Sequence, residues 1–224
     1  MKKNLLLSVA ICLTVNVVTY AQCNPFFNFK EGSKWELTNY NGKGKIEGRQ
    51  ENEIKELKAN GDGWDASLHM VLYDKKDRVV YDKNIEMGCA AGVVTLDMTR
   101  LISDEQLEAF QDMNMKLEMD NIEIPSGLEV GMTLDDGSVI LTGDLPMTVK
   151  VTVTDRKVES KENITTPAGT FECYKISYKV ATKMLMNIES TGVDYISKNV
   201  GMVRTETFNK SGKLVGYSEI TKLN

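Results

Sequence analysis

The sequence predicts a mainly β domain, a single antiparallel meander of long strands with one amphipathic helix packed on or across the sheet. Three observations lead there. Apolar and polar residues alternate with a period of two over stretches such as Trp64–Tyr73 and Met147–Thr154. Clusters of Asn, Asp and Gly punctuate those stretches as turns. One segment only, after Ser103, changes to helical spacing.

In chain order, Met1-Lys2-Lys3 followed by the apolar stretch Leu5–Val18 and Thr19-Tyr20-Ala21 reads as a secretory leader, residues 1–21, cut ahead of Gln22. The apolar run is short for a membrane span, and no later segment reaches the length a spanning helix needs. Anchoring through a lipid on Cys23 is the rival reading; Gln22 stands where a lipoprotein signal wants a small residue, which favours ordinary cleavage. Residues 22–224 then form one β-rich domain that is periplasmic or extracellular. Pro25-Phe26-Phe27-Asn28-Phe29 lays aromatic rings against the fold, and a first strand runs near Trp35–Tyr40. After Asn41-Gly42-Lys43-Gly44 comes a long polar strand, about 45–58, whose composition suits an exposed or edge position.

Trp64, Ala66, Leu68, Met70 and Leu72 form the apolar side of the next strand, and strands near Arg78–Met87 and Gly92–Met98 follow. Ser103 with Gln106 makes a capping box, Asp104 and Glu105 suit a helix N-terminus, and Leu107, Phe110, Met113 and Leu117 follow at helical spacing. A helix over about 104–119 is the expectation. Pro125 ends any helical tendency beyond it, and the remainder to Leu223 reads as strand and turn.

An internal repeat supports the meander. Tyr40–Gly48 aligns with Phe208–Gly216, and Tyr73–Val79 is a looser third copy. Each places an aromatic residue before a polar turn and a basic residue after it, the pattern of a hairpin whose Asn, Asp or Gly takes unusual turn angles.

Losing Lys2 and Lys3 with the leader takes the net charge from −5 to −7. A mildly acidic chain is a poor partner for a nucleic-acid backbone. Cys12 leaves with the leader, so Cys23, Cys89 and Cys173 remain. Export permits disulfides. Cys23–Cys89 is favoured because it ties down the N-terminus; Cys89–Cys173 is the alternative. No Cys/His spacing suggests a metal, and no cofactor motif is present.

The one histidine, His69, shares a strand face with Asp65 and Ser67. Residues in a row along one strand do not converge as a catalytic triad does, so a solvated histidine is the reading. Asp135-Asp136 and Asp104-Glu105 sit in a turn and at a helix start, where structural roles suffice; a hydrolase built on them lacks a converging partner. Asn163-Ile164-Thr165 matches a glycosylation sequon and is read as coincidence.

Methionine is the unusual component, with eight of the twelve between Met70 and Met147. Methionine fills irregular core gaps, and it also lines adaptable apolar pockets. The second reading gives a candidate apolar site of Met70, Met98, Leu107, Phe110, Met113 and Leu117 beneath the helix.

Ile164–Ile176, with Pro167-Ala168-Gly169-Thr170-Phe171 and Cys173 in it, followed by Val200–Glu206, resembles a bacterial family of secreted proteins with a domain of unknown function, labelled TapB-like. Phe29-Lys30-Glu31-Gly32 with Trp35-Glu36, and Leu128–Leu134, look like that family's other fixed points. The resemblance implies an exported, single-domain protein with a strongly curved, half-barrel-like sheet, similar in shape to lipoprotein carriers. It implies no catalytic residues. The expected function is therefore non-catalytic binding of an apolar small molecule or lipid in a concave sheet, with an envelope interaction module docking a protein partner as the alternative.

Overall fold

The computed structural model describes residues 23–96, 116–143, 149–183 and 187–224, and these are all β, without a helix. From the N-terminus the strands are β1 (Lys34–Asn41), β2 (Ile46–Asn60), β3 (Gly63–Asp74), β4 (Val79–Ala90) and β5 (Val93–Leu96). Two short strands follow, β6 (Lys116–Asp120) and β7 (Ile122–Pro125). The second half holds β8 (Gly137–Thr142), β9 (Val149–Thr166), β10 (Gly169–Lys183), β11 (Asn187–Ser197), β12 (Gly201–Asn209) and β13 (Leu214–Leu223). They form one antiparallel sheet in the order β6-β8-β9-β10-β11-β12-β13-β1-β2-β3-β4-β5-β7.

That order makes the sheet a nearly closed barrel. Its two outermost strands, β6 and β7, are separated in sequence by Asn121 alone. The edges must therefore lie within a few residues of each other, and a side chain bridges the gap. Arg156 of β9, 3% exposed, donates from Nη2 to the Glu123 carbonyl on β7 at 2.9 Å and from Nη1 to the Asp135 carbonyl. Bulges at Glu36/Leu37, Ile54/Glu56, Ser177/Lys179 and Tyr195/Ile196 bend the long strands round the axis.

Two expectations are corrected here. In place of a half-barrel with an amphipathic helix across it, the described residues form an almost closed barrel of strands without a helix. Residues 104–115 lie outside the described residues, but 116–119, expected to end the helix, belong to β6 and pair with β8, Leu117 opposite Leu141 and Met119 opposite Val139. The physical reason is legible: Leu117 and Met119 alternate with Lys116, Glu118 and Asp120, a period of two that the spacing from Leu107 concealed. The polar strand β2 is exposed over much of its length but is no edge of the sheet: it pairs with β3 from Gly48 to Asn60 and with β1 from Ile46 to Glu53. Its outward positions, Arg49, Glu51, Glu53 and Lys55, are charged, and even its inward Gln50 and Asn52 are polar.

One end of the barrel is stoppered by the segment before β1. Phe26 is fully buried and meets the Tyr174 ring edge-on at 5.6 Å, while Phe29 stacks on Trp35 at 5.0 Å. Asn24 fixes the segment, its Nδ2 donating to the carbonyls of Gly92 at 3.0 Å and Ile124 at 2.9 Å. Cys23 is disulfide-bonded to Cys89 of β4, and Cys173 is a buried free thiol. Burial pushes the Cys173 thiol pKa up to about 11.

Candidate functional site

The register of β3 decides what faces inward. Trp64, Ala66, Leu68, Met70 and Leu72 point to the stopper and the core, and their alternates point out. Cross-strand pairing extends the inward set to Leu37 and Ile220, and to Thr205 opposite Ser218. These side chains do not fill the barrel. A cavity of about 360 Å³ remains above the stopper. Its apolar wall includes Phe27, Phe29, Leu68, Met70, Leu72 and Met202; its polar lining is Gln50, Asn52, Thr205 and Ser218. That volume falls within the roughly 300–1,000 Å³ of small-ligand pockets.

Polar groups interrupt the apolar wall: Gln50 stands opposite Leu72, Asn52 opposite Met70, and Thr205 opposite Ser218. Thr205 is one of two hydroxyls converging on Asp194: it donates to Asp194 Oδ1 at 2.8 Å, and Tyr178 Oη donates to the same oxygen at 3.1 Å. Burial, then the neighbouring Asp194 charge, drives the Tyr178 phenol pKa far up, so it remains a donor. The ring lies against Gly192 of β11, where any Cβ would fall 2.2 Å from it. A glycine is therefore required there. Burial pulls the Arg156 pKa down, against the carboxylates of Asp194, Asp136 and Asp135.

None of the described residues lining this cavity is ionisable; the carboxylate next to it is Asp194, which accepts from the Thr205 hydroxyl. Among the described residues, no group of three or more His, Cys, Asp or Glu side chains could hold a metal.

A second depression, about 430 Å³, lies on the outer face near Lys34, Glu53, His69 and Tyr73. Its charges are already matched. Lys222 reaches Glu36 at 2.7 Å, Lys34 reaches Glu53 at 3.4 Å, and Arg49 lies 3.6 Å over the Tyr73 ring. Burial pushes the Glu36 pKa up, but hydrogen bonds from Lys222 and Thr221 and the charges of Lys222 and Arg49 outweigh it and hold the carboxyl below its usual range. His69 Nε2 sits 2.8 Å from Asp82 on the neighbouring strand, an outward cross-strand pair rather than a contact with Asp65 or Ser67.

Of the residues expected to line an apolar site, Met70 is in the cavity wall. Met98, Leu107, Phe110 and Met113 lie outside the described residues, and Leu117 is placed only by its backbone pairing in β6. Sequence reasoning missed Phe27, Phe29, Met202, Thr205 and Ser218. Met202 and Ser218 lie on distant strands that only the β12–β13–β1–β2–β3 neighbourhood brings together. The aromatic run 26–29 was a signal available in the sequence.

The described residues form an antiparallel barrel, stoppered at one end and hollow above the stopper. The chain belongs to the DUF3108-like family, a domain of unknown function, which it matches over residues 30–220. The expectation of a β-rich family of unknown function is met. Two crystal structures are similar. One is an inferred lipoprotein of Parabacteroides distasonis, 26% identical, with a TM-score of 0.74 over 90% of this chain and 99% of that one. The other is an inferred exported protein of Bacteroides fragilis with a YmcC-like fold, 20% identical, with a TM-score of 0.72 over 90% of this chain and 100% of that one. Neither is named as an enzyme. No curated protein matches the chain.

Proposed function

We propose that this is an exported, non-catalytic protein of the cell envelope that holds an apolar ligand, an acyl chain or similar amphiphile, inside its barrel. The observation that carries the reading is the cavity of about 360 Å³, apolar toward Phe27, Phe29 and Met70 and polar at Thr205 and Ser218. An amphiphile fits such a lining tail-first, the tail against the aromatic stopper and the polar end beside the hydroxyls. Methionines Met70, Met87 and Met202 in the wall adapt to chains of different shape. Export is supported by the basic start and apolar run of residues 1–21 and by the descriptions of the two similar structures as exported protein and lipoprotein.

The test is titration of delipidated protein with a fluorescent fatty acid such as cis-parinaric acid. The expected result is saturable uptake of one probe per chain. Met202→Trp, which fills the cavity from its wall, lowers affinity about tenfold or more, the size of effect that loss of a well-buried contact gives. Folded wild-type protein that takes up no probe, or a Met202→Trp protein that binds it unchanged, defeats the proposal.

A further inference from the structure

The three repeated hairpins share more than a sequence pattern. Asn41, Asp74 and Asn209 each open a five-residue turn. In each, the opening side chain accepts hydrogen bonds from the second and fourth following amides: Lys43 and Lys45, Lys76 and Arg78, Ser211 and Lys213. The third following residue is left-handed in all three, with φ of 74° at Gly44, 61° at Asp77 and 76° at Gly212. Because β12, β13, β1, β2, β3 and β4 are consecutive neighbours in the sheet, all three turns stand side by side at one end of the barrel, opposite the stopper.

That rim combines cations with exposed aliphatic side chains. Residues 41–45, 74–78 and 209–213 carry seven cations and two carboxylates in a chain whose net charge is −5. Both carboxylates are occupied, Asp74 by Arg78 at 2.5 Å and Asp77 by Arg49 at 2.9 Å. Among the described residues no ion pair engages Lys43, Lys45, Lys75, Lys76 or Lys213. Directly after the turns, aliphatic side chains face solvent: Ile46 is 58% exposed, Val80 64% and Val215 46%. Lysines flanking projecting aliphatic groups are the composition that seats on an anionic lipid surface, the cations at the phosphates and the aliphatic groups at the acyl boundary.

We propose that this rim docks on the surface of an anionic phospholipid bilayer. The cavity runs toward the same end: Leu72 in its wall lies two residues before the Asp74 turn. Docking would therefore bring that side of the cavity toward the lipid. The proposal stands on the rim alone and does not require that the cavity hold a ligand.

Flotation of the chain from Gln22 onward with sealed vesicles tests it. The protein is expected to float with phosphatidylglycerol–phosphatidylethanolamine vesicles at low salt, to be released at high salt as screening removes the attraction, and to stay behind with phosphatidylcholine vesicles. Lys43→Glu/Lys75→Glu/Lys213→Glu lowers the bound fraction about tenfold or more, and Ile46→Ser/Val80→Ser/Val215→Ser lowers it several-fold at unchanged salt sensitivity. These side chains are exposed, so thermal midpoints should hold within a few degrees. The salt series on the wild-type protein needs no variant to fold. Wild-type protein that ignores anionic vesicles, a charge-reversed variant that floats like wild type, or equal binding to an acidic polypeptide would each overturn the bilayer as the occupant.

Discussion

The two ends of the barrel are built on opposite principles. The stoppered end is held by contacts distant in sequence: Asn24 to Gly92 and Ile124, Cys23 to Cys89, Phe26 to Tyr174, and the Asn199 amide to the Pro25 carbonyl at 2.7 Å. The hairpin rim is shaped mainly within each turn, by the Asx side chain and a close pair of backbone bonds such as Gly44 N–H to Asn41 O at 2.9 Å; the links beyond a turn reach only neighbouring strands, Arg49 to Asp77 and the Gly42 amide to the Val215 carbonyl. A tertiary knot resists unfolding but cannot be altered piecemeal. Self-contained turns tolerate changes in their outward residues, which frees that end to carry an interaction surface. Stability should concentrate at the first end and recognition at the second.

The largest effect expected is from Phe26→Ala. The ring is fully buried in the cluster that joins Trp64, Val158, Ile176 and Ile196, so truncation should cost about 3–5 kcal/mol, read as a lower urea midpoint at unchanged slope. A loss of less than about 0.5 kcal/mol, the usual size of a surface change, would break the claim that the stopper is core. The disulfide comes next. Cys23→Ser/Cys89→Ser should cost about 2–4 kcal/mol, because 66 residues separate the pair and the unfolded chain loses that crosslink. With the disulfide intact, Cys173 should be the single titratable thiol of a chain starting at Gln22. Its pKa of about 11 keeps it unreactive toward thiol reagents at mildly alkaline pH until denaturant exposes it.

Much of this contrast was readable before the structure, for physical reasons that differ between the ends. The rim turns were legible because everything that shapes them is local: the Asx residue, the left-handed position and the cation sit within five residues of one another. The Trp64–Leu72 face was legible because a half-buried strand writes its burial as alternation. The cavity was not. It is assembled from strands as far apart in the chain as Leu37 and Ser218, and pairing of β13 with β1, which no local pattern encodes, brings them together. The helix expectation failed where apolar spacing was ambiguous: Leu117 fits both a helix stripe from Leu107 and a strand alternation with Met119. Closure followed the same logic, since a one-residue connection between β6 and β7 constrains the sheet only once both are known to be its edges.

The smallest effect, and the most local, is a titration at the rim. The hydrogen bonds from the Arg78 side chain come first, and with the amides of Arg78 and Lys76 they hold the Asp74 carboxyl at about 2, below its ordinary range. An acid whose folded pKa is depressed contributes stability that is present above the unfolded value of about 3.9 and is lost as pH falls through about 2. The Asp74 turn should therefore persist at a pH where unpaired surface carboxylates are already protonated. Side-chain carboxyl shifts followed by NMR should give a midpoint near that value, and Arg78→Ala should move it up toward the unfolded one. Because the turn is self-contained, the amide signals of Phe26 and Cys89 should not respond to that titration step. A shift at the stopper in concert with Asp74 would mean that the ends are coupled and that the division of labour between them is wrong.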